Sequence, residues 1–337
     1  MKNHRVIAEK TGGPEVLRVV EEEMSEPKSS EIRVAIHASG VAFVDALMRA
    51  GLYPGKLPKP FPPGYDIVGV VDKLGPGVAG FQPGQKVAAL TRFGGNAEYL
   101  CVPASTLVPV PDGLDMDEVL ALVLNYVTAY QLLHRAAKVK PGERVLVHGG
   151  SGPVGLAALQ LGKVAGLQMY ATASSPRHSI VKQYGGTPID YRHDDFEKRI
   201  RELTGDGVDV VLDAVGGSNW IRSFRCLRKG GRLVMFGSSA AKQEGNAGVA
   251  FGFFKVLLRW LVPDGLGRKM RFYAIAMAGS NNHTCKEDLV KLMQMLREGA
   301  IQPLLAERVP LAEIQRAHRL VENPTAYGKI ILVSRRA

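Results

Sequence analysis

The sequence predicts an α/β protein: a doubly wound parallel sheet joined to a second, β-rich domain. Three observations predict it. An apolar strand runs through a glycine turn directly into a helical pattern at VLVHGGSGPVGLAALQLGKVAG (145–166). Short apolar strands then alternate with helical stretches as far as residue 276. Residues 1–122 instead carry closely spaced turn signals between short β-rich runs. Alternating strands and helices call for parallel strands joined by crossovers, whereas frequent Gly/Pro turns suit a compact β-rich unit.

In the first part the turns are Gly12-Gly13-Pro14, Pro62-Pro63-Gly64, Gly75-Pro76-Gly77 and Pro83-Gly84. Ile32–His37, Ile67–Val71 and Lys86–Leu90 lie between them as strands. The tail, 328–334, reads as another strand behind a helix at 311–321, and is expected to return to this domain. The expected domains are therefore 1–122 with about 300–337, and 123–299, with the active site in the cleft between them.

Gly150, Gly152 and Gly155 spell G-x-G-x-x-G. Val145–Val147 before them reads as a buried parallel strand, and Leu156, Leu159 and Val164 recur at roughly helical spacing. In that context one glycine makes the tight turn, one admits a pyrophosphate to the backbone, and one lets helix and strand pack closely. The helix N-terminus adds partial positive charge for an anion. A P-loop would need Gly-Lys-Ser/Thr, but Gly155 is followed by Leu156-Ala157. A hydrolase elbow would need G-x-S-x-G, but Gly149-Gly150-Ser151-Gly152 runs into Pro153. The competing reading is a tight turn that binds nothing. The strand and helix on either side favour a Rossmann dinucleotide site at Gly150, Ser151, Gly152, Pro153, Val154 and Gly155.

The second strand is 168–173, followed by Ser174-Ser175-Pro176-Arg177-His178. An NAD site usually has Asp or Glu here to bond the ribose hydroxyls, and this stretch has no carboxylate. Ser174, Ser175, Arg177 and His178 suit a 2′-phosphate, Arg through bidentate hydrogen bonds. The expected cofactor is NADPH rather than NADH; the alternative is a solvated helix start. Thr187–Tyr191 is a third strand, followed by a charged helix from Asp194. Val208–Asp213 is a fourth, ending at Val215-Gly216-Gly217. Arg232–Gly237 is a fifth and 272–276 a sixth. A dinucleotide crosses the carboxyl ends of such strands, which adds Gly216, Phe236, Gly237 and Ser238 to the site.

The 337 residues suffice for two domains. Three cysteines without paired spacing argue against a disulfide framework and for a reducing, cytoplasmic setting. The N-terminus lacks the apolar core of a signal peptide. FGFFKVLLRWLV (251–262) is too short to span a bilayer and carries Lys255 and Arg259. It reads as a helix at a pocket mouth or a membrane-surface contact, with the pocket preferred. The formal charge of +11 is spread along the chain, and no aromatic-plus-basic motif marks a specific nucleic-acid surface.

Essentially the whole chain resembles the zinc-independent quinone oxidoreductases of the medium-chain dehydrogenase/reductase superfamily. The resemblance rests on GVAFVDALMRAGLYP (40–54), PPGYDIVGVV (62–71), GVAGFQPGQKV (77–87) and GGNAEYLCVPA (94–104). LNYVTAY (124–130), the glycine turn and IDYRHDDF (189–196) complete it. LVLNYVTAY and Ser-Pro-Arg-His are most similar to the branch of synaptic vesicle membrane protein homologues. The resemblance implies a GroES-like fold for the β-rich domain and a homodimer. Zinc-using relatives carry Gly-His-Glu where this chain has Gly64-Tyr65-Asp66, and a cysteine ligand near Val41-Ala42, where there is none. Residues 91–100 lack the four cysteines of a structural-zinc lobe. No metal is expected.

The implied chemistry is hydride transfer from NADPH to a quinone or an α,β-unsaturated carbonyl. A hydroxyl donor then steadies charge on the carbonyl oxygen. Tyr53 matches the family's active-site tyrosine; its alternative is a packed aromatic after a helix. Asp45 matches a family position in the same helix and would orient neighbours; its alternative is a salt bridge. Asn125 and Thr128 match positions near the nicotinamide, with helix capping or interhelix bonding as the alternative. Tyr191 and His178 match positions near the adenosine phosphate, with a packed aromatic and a solvated histidine as the alternatives. The family commonly has Gly-Val-Asn-Phe where this chain has Gly40-Val41-Ala42-Phe43, so a side-chain contact with substrate or carboxamide is lost. Two other functions compete. One is an enoyl thioester reductase, with Arg268, Lys269 and Arg271 as a basic rim. The other is an NADPH-binding scaffold or membrane-surface protein with low turnover.

Overall fold

The computed structural model describes residues 2–53, 56–240, 265–275, 283–322 and 327–334, with 247, 248, 250–252, 254, 255 and 258. They form two compact units, Met1–Val127 with Ala278–Ala337, and Thr128–Met277.

The first unit opens with an antiparallel hairpin, β1 (Lys2–Ala8) and β2 (Leu17–Glu23). There follow β3 (Glu31–Val41), helix α1 (Phe43–Arg49), β4 (Asp66–Leu74), β5 (Lys86–Leu90), β6 (Tyr99–Pro103) and β7 (Val108–Pro109). Helix α2 (Met116–Ala121) starts where the Asp115 carboxylate accepts the N–H groups of Asp117 (2.9 Å) and Glu118 (3.0 Å). It widens into a π-helical stretch, Leu122–Tyr126, before α3 (Val127–Tyr130). A second π-helical stretch, Gln131–Ala137, ends at Lys138 in the left-handed region (φ 53°).

The second unit is a regular β/α alternation. Its elements are β8 (Arg144–Val147), α4 (Pro153–Val164), β9 (Gln168–Thr172), α5 (His178–Gln183), β10 (Gly186–Ile189), α6 (Phe196–Thr204), β11 (Val208–Asp213), α7 (Asn219–Arg225), β12 (Leu227–Met235) and β13 (Lys269–Phe272). The strands lie in the order β10-β9-β8-β11-β12-β13, with every neighbouring pair parallel. This is the doubly wound order, and the direction of winding reverses between β8 and β11. Phe196 and Ile200 of α6 and Trp220 and Phe224 of α7 pack on Leu146, Val211 and Leu233 of the sheet.

Two strand readings need correction. The fifth strand begins at Leu227 and ends at Met235, and the sixth is Lys269–Phe272 rather than 272–276. Its register sets Lys269 beside Arg232 and Phe272 beside Met235. As an edge strand it is largely exposed and has no apolar run, whereas the neighbouring Phe-Tyr-Ala-Ile does. Ala276 lies outside the described residues. Of the 251–262 segment, the described residues are helical, with Phe251, Phe254 and Leu258 exposed. Gly252 abuts the backbone of Gly217, since a Cβ there would lie 2.4 Å from its carbonyl oxygen. The other residues of that segment lie outside those described.

The chain then adds α8 (His283–Arg297), β14 (Leu305–Pro310), α9 (Ile314–Glu322) and β15 (Lys329–Val333) to the first unit. The tail strand β15 pairs antiparallel with β3, completing a sheet ordered β14-β15-β3-β4-β5-β7, with β6 also on β3. Ile32, Val34, Ile67, Val87 and Val102 fill its core.

Candidate active site

The glycine turn leaves β8 and enters α4 with Gly152 as an N-cap that has no side-chain bond. Pro153 at the first helical position has no N–H to satisfy, so only the following amides of that turn need a partner. The Leu156 N–H already bonds the Gly152 carbonyl at 2.8 Å. Close approach explains two of the glycines. A Cβ on Gly150 would lie 2.4 Å from the Ala171 Cβ on β9, and one on Gly155 would lie 2.4 Å from the Gly149 carbonyl oxygen. The positive φ of the turn (+70°) belongs to Gly149, outside the three-glycine motif. An uncapped helix N-terminus behind a close-packed backbone turn, beside the strand-order reversal, suits a pyrophosphate.

At the end of β9, Ser174 leads into a 3₁₀ turn, Ser175–Arg177, and its carbonyl accepts the Arg177 N–H at 2.8 Å. Arg177 Nη1 donates to the Ser151 hydroxyl at 3.3 Å, which ties this turn to the glycine turn. The His178 ring lies 3.2 Å from the Ala173 carbonyl. A carboxylate does reach this place, and the sequence reading missed it. Asp190, just past β10, accepts the Ser175 hydroxyl, His193 Nδ1 at 2.9 Å and the Arg192 N–H at 3.0 Å. These bonds, the Ser175 hydroxyl first, hold its carboxyl well below the usual range. Tyr191 is exposed rather than packed, with the Arg192 guanidinium 5.9 Å from its ring centre.

The carboxyl ends of β11 and β12 gather the remaining predicted residues. Gly216 has φ +82°, and a Cβ there would lie 3.0 Å from Ser238 Cα. A Cβ on Gly237 would lie 2.8 Å from the Ala214 carbonyl, and the Phe236 N–H bonds the Asp213 carbonyl at 3.0 Å. Only glycine permits this approach of two loops.

In the first unit, Asp45 sits in the first turn of α1, fully buried. Its carboxylate accepts the Ala42 N–H at 2.9 Å and the Gly64 N–H at 3.3 Å, so it ties the helix start to the loop before β4. It clamps the backbone, and among the described residues it forms no salt bridge, the alternative given for it. Burial pushes its carboxyl up to about 7, against the two N–H groups. Tyr65 is also fully buried, and its hydroxyl has no hydrogen bond of regular geometry. Burial pushes this phenol up; among its neighbours the half-buried Tyr53 acts on it most, and Arg92 opposes. Tyr53 and Tyr65 are thus brought together, with Asp45 acting on the same group. Tyr65 stands where zinc relatives have histidine, and the sequence reading gave it no role beyond that absence. Asn125 lies in the π-helical stretch Leu122–Tyr126, buried, with its Oδ1 unpartnered. Such stretches are frequent at functional sites. Thr128 is buried in α3. Among the described residues no group of three or more His, Cys, Asp or Glu side chains is placed to hold a metal ion.

Asp45 makes a pH prediction. Its folded carboxyl keeps its proton to about pH 7, while the unfolded one releases it near the ordinary 3.8. The folded state therefore binds more protons between those values. The stability contributed by Asp45 is full below pH ~4 and is lost as pH rises towards 7, at up to about 1.4 kcal/mol per unit. Urea unfolding from pH 5 to 8 is expected to show this slope in the native protein and a flatter one in Asp45→Asn. Equal slopes would show that the buried carboxyl is already ionised at pH 5.

Residues 28–112 match the alcohol dehydrogenase GroES-like domain, and residues 186–332 match a family described as zinc-binding dehydrogenase. Quinone oxidoreductase 1 of Escherichia coli is 31% identical over 98% of this chain and 99% of its own length. The chain belongs to the zinc-independent quinone oxidoreductase family of the medium-chain dehydrogenases/reductases. The synaptic vesicle membrane protein VAT-1 homolog of Danio rerio is 30% identical over 91% of this chain, which spans 65% of that relative's length. The crystal structure of Escherichia coli quinone oxidoreductase complexed with NADPH superposes with a TM-score of 0.87, covering 98% of this chain and 99% of that one at 29% identity. These matches confirm the Rossmann-plus-GroES-like fold. Among the described residues no helix is long and apolar enough to cross a membrane.

Proposed function

We propose that this quinone oxidoreductase family member is an NADPH-dependent reductase of quinones or α,β-unsaturated carbonyl compounds. The observation that carries the reading is the uncapped N-terminus of α4 behind its glycine turn, with Arg177 bonded to Ser151 of that turn. NADPH, when bound, supplies the hydride. The residues assigned to hold it are Gly150–Gly155, Ser174, Ser175, Arg177, His178 and Tyr191 on one side, and Gly216, Phe236, Gly237 and Ser238 on the other. Asp190 would oppose a 2′-phosphate. Its oxygens are engaged by Ser175, Arg192 and His193, and the one Ser175 hydroxyl proton is spent on it, so Ser174, Arg177 and His178 are the side chains left to meet a 2′-phosphate. The NADPH complex of the Escherichia coli relative supports the same choice. In the GroES-like unit, Tyr53 is assigned as the hydroxyl donor to the substrate oxygen, and Asp45 as the clamp on the backbone beside it. Asn125 and Thr128 are assigned to the nicotinamide end of the site. The Asn125 Oδ1, buried and unpartnered, is an acceptor suited to an amide N–H.

The test is titration of the protein with NADPH and NADH, then NADPH oxidation with quinones, enones and a crotonyl thioester. NADPH-selective binding with turnover of quinone or enone is the expected result. Thioester turnover alone would reassign the substrate, and selective binding without turnover would favour a scaffold. Arg177→Ala with His178→Ala is expected to weaken NADPH by about tenfold or more, with little change for NADH. Equal losses for both would remove these two residues from phosphate recognition.

A further inference from the structure

A closed chain of buried hydrogen bonds runs beneath the two cofactor loops, and the proposed chemistry does not use it. His148 is the residue between β8 and the glycine turn, and its N–H bonds the Leu212 carbonyl of β11 at 3.0 Å, across the strand-order reversal. Its ring Nδ1 lies 3.1 Å from Thr172 Oγ1, and its Nε2 lies 2.9 Å from Ser223 Oγ. Thr172 Oγ1 also accepts the Gly149 N–H at 3.3 Å. Ser223 Oγ donates to Asp213 Oδ2 at 2.6 Å. Asp213 Oδ1 accepts the N–H groups of Val215 at 2.7 Å and Gly216 at 3.1 Å. Asn219 supplies a further bond to Asp213 Oδ2 at 3.0 Å.

The proton positions follow from what each group can donate. Ser223 Oγ carries a single proton and donates it to Asp213 Oδ2. Ser223 Oγ must then accept from His148, which puts the imidazole proton on Nε2. Nδ1 is left as an acceptor, and Thr172 donates to it. Every bond from Gly149 to Asp213 thereby donates in the same direction, and the Val215 and Gly216 N–H groups meet the carboxylate from the other side. Ser223 is 0% exposed and His148 3% exposed, so water does not substitute for either partner. Burial lowers the imidazole's affinity for a second proton, although Asp213 opposes this. The set is not a hydrolytic triad. There the carboxylate backs the histidine and the serine proton faces the ring. Here the carboxylate backs the serine, and no nucleophile is exposed.

We propose that His148 is a positioning residue that locks the glycine turn to the Val215–Gly216 loop, so that one rigid frame meets both halves of a dinucleotide. The inference rests on the dinucleotide reading above. It predicts a selective defect. Breaking the chain at its far end should loosen the second loop and spare the turn.

Ser223→Ala, His148→Ala and His148→Gln test it, with NADPH and adenosine 2′,5′-bisphosphate as probes by fluorescence and calorimetric titration. NADPH is expected to bind about tenfold more weakly to Ser223→Ala, with the bisphosphate within about twofold of the native value. Equal weakening of both probes, or none, would overturn the proposal. His148→Ala is expected to weaken NADPH as Ser223→Ala does, and His148→Gln, which keeps an N–H for Ser223, to recover part of that affinity; no recovery, in a variant that melts like the native protein, would count against it. Nitrogen-15 NMR of the native protein should show a neutral Nε2–H ring at pH 7, and an Nδ1–H ring would overturn the chain of bonds whatever the ligand. A native protein that shows the Nε2–H ring yet binds neither probe would overturn the dinucleotide reading and, with it, the positioning role.

Discussion

Lys329→Met is expected to destabilise the protein by about 3–5 kcal/mol, because it strands a buried carboxylate. Lys329 Nζ donates to Asp66 Oδ2 at 2.5 Å, and the two side chains are 2% and 0% exposed. The sheet register creates this pair. β15 runs against β3 with Ile331 opposite Gly40, and β4 runs against the other side of β3 with Ile67 opposite Ser39. Lys329 and Asp66 therefore converge over Gly40, where a Cβ would come within 2.2 Å of the ammonium nitrogen. Asp66 Oδ1 has no hydrogen-bond partner, so the lysine is what compensates that carboxylate. Burial already pushes the Asp66 carboxyl up, with Lys329 opposing, and the variant removes the opposition. Urea midpoints at constant slope measure the loss. The double variant Lys329→Met/Asp66→Leu is expected to recover most of it, since two apolar groups need no compensation. A single variant as stable as the native chain would mean that Asp66 is held protonated without help.

The same strands show what the sequence could reveal. The parallel sheet was legible because Val145–Val147 and Val210–Leu212 are buried on both faces and therefore apolar throughout. β13 was displaced because an edge strand has no such run. Helix α8 was overlooked although Leu289, Leu292, Met293 and Leu296 recur at helical spacing and are buried. The glycine turn was legible as a local motif. Asp190 was not, because distance along the chain past β9 gives no sign of a carboxylate that sheet pairing delivers from the end of β10. Tyr65 was legible only as a missing histidine. Its approach to Tyr53 depends on the fold of the loop that Asp45 clamps, and no spacing rule encodes that. The chain from Gly149 to Gly216 joins residues up to 75 positions apart and has no sequence signature.

Tyr53→Phe is expected to lower enone turnover by about a hundredfold with NADPH affinity unchanged, if the assigned donor role holds. The argument turns on which of two neighbouring phenols can meet a substrate. Tyr65 is sealed, and its hydroxyl has no exposed surface, so it cannot touch a ligand in this arrangement. Tyr53 is half-buried in the bend after α1, so part of its side chain remains open. A donor in that position is worth most in the transition state, when charge gathers on the carbonyl oxygen, so kcat rather than NADPH affinity carries the loss. Tyr65→Phe removes a hydroxyl that is buried without a regular bond, and deleting such a group is close to neutral or stabilising. It should therefore leave stability intact and reduce turnover only insofar as Tyr53 leans on it. Steady-state kinetics of the two variants on one enone, with NADPH titrations alongside, separate the roles. A large loss in Tyr53→Phe and a small one in Tyr65→Phe supports the assignment. The reverse pattern would make Tyr65 the donor and would require the loop over it to open for substrate.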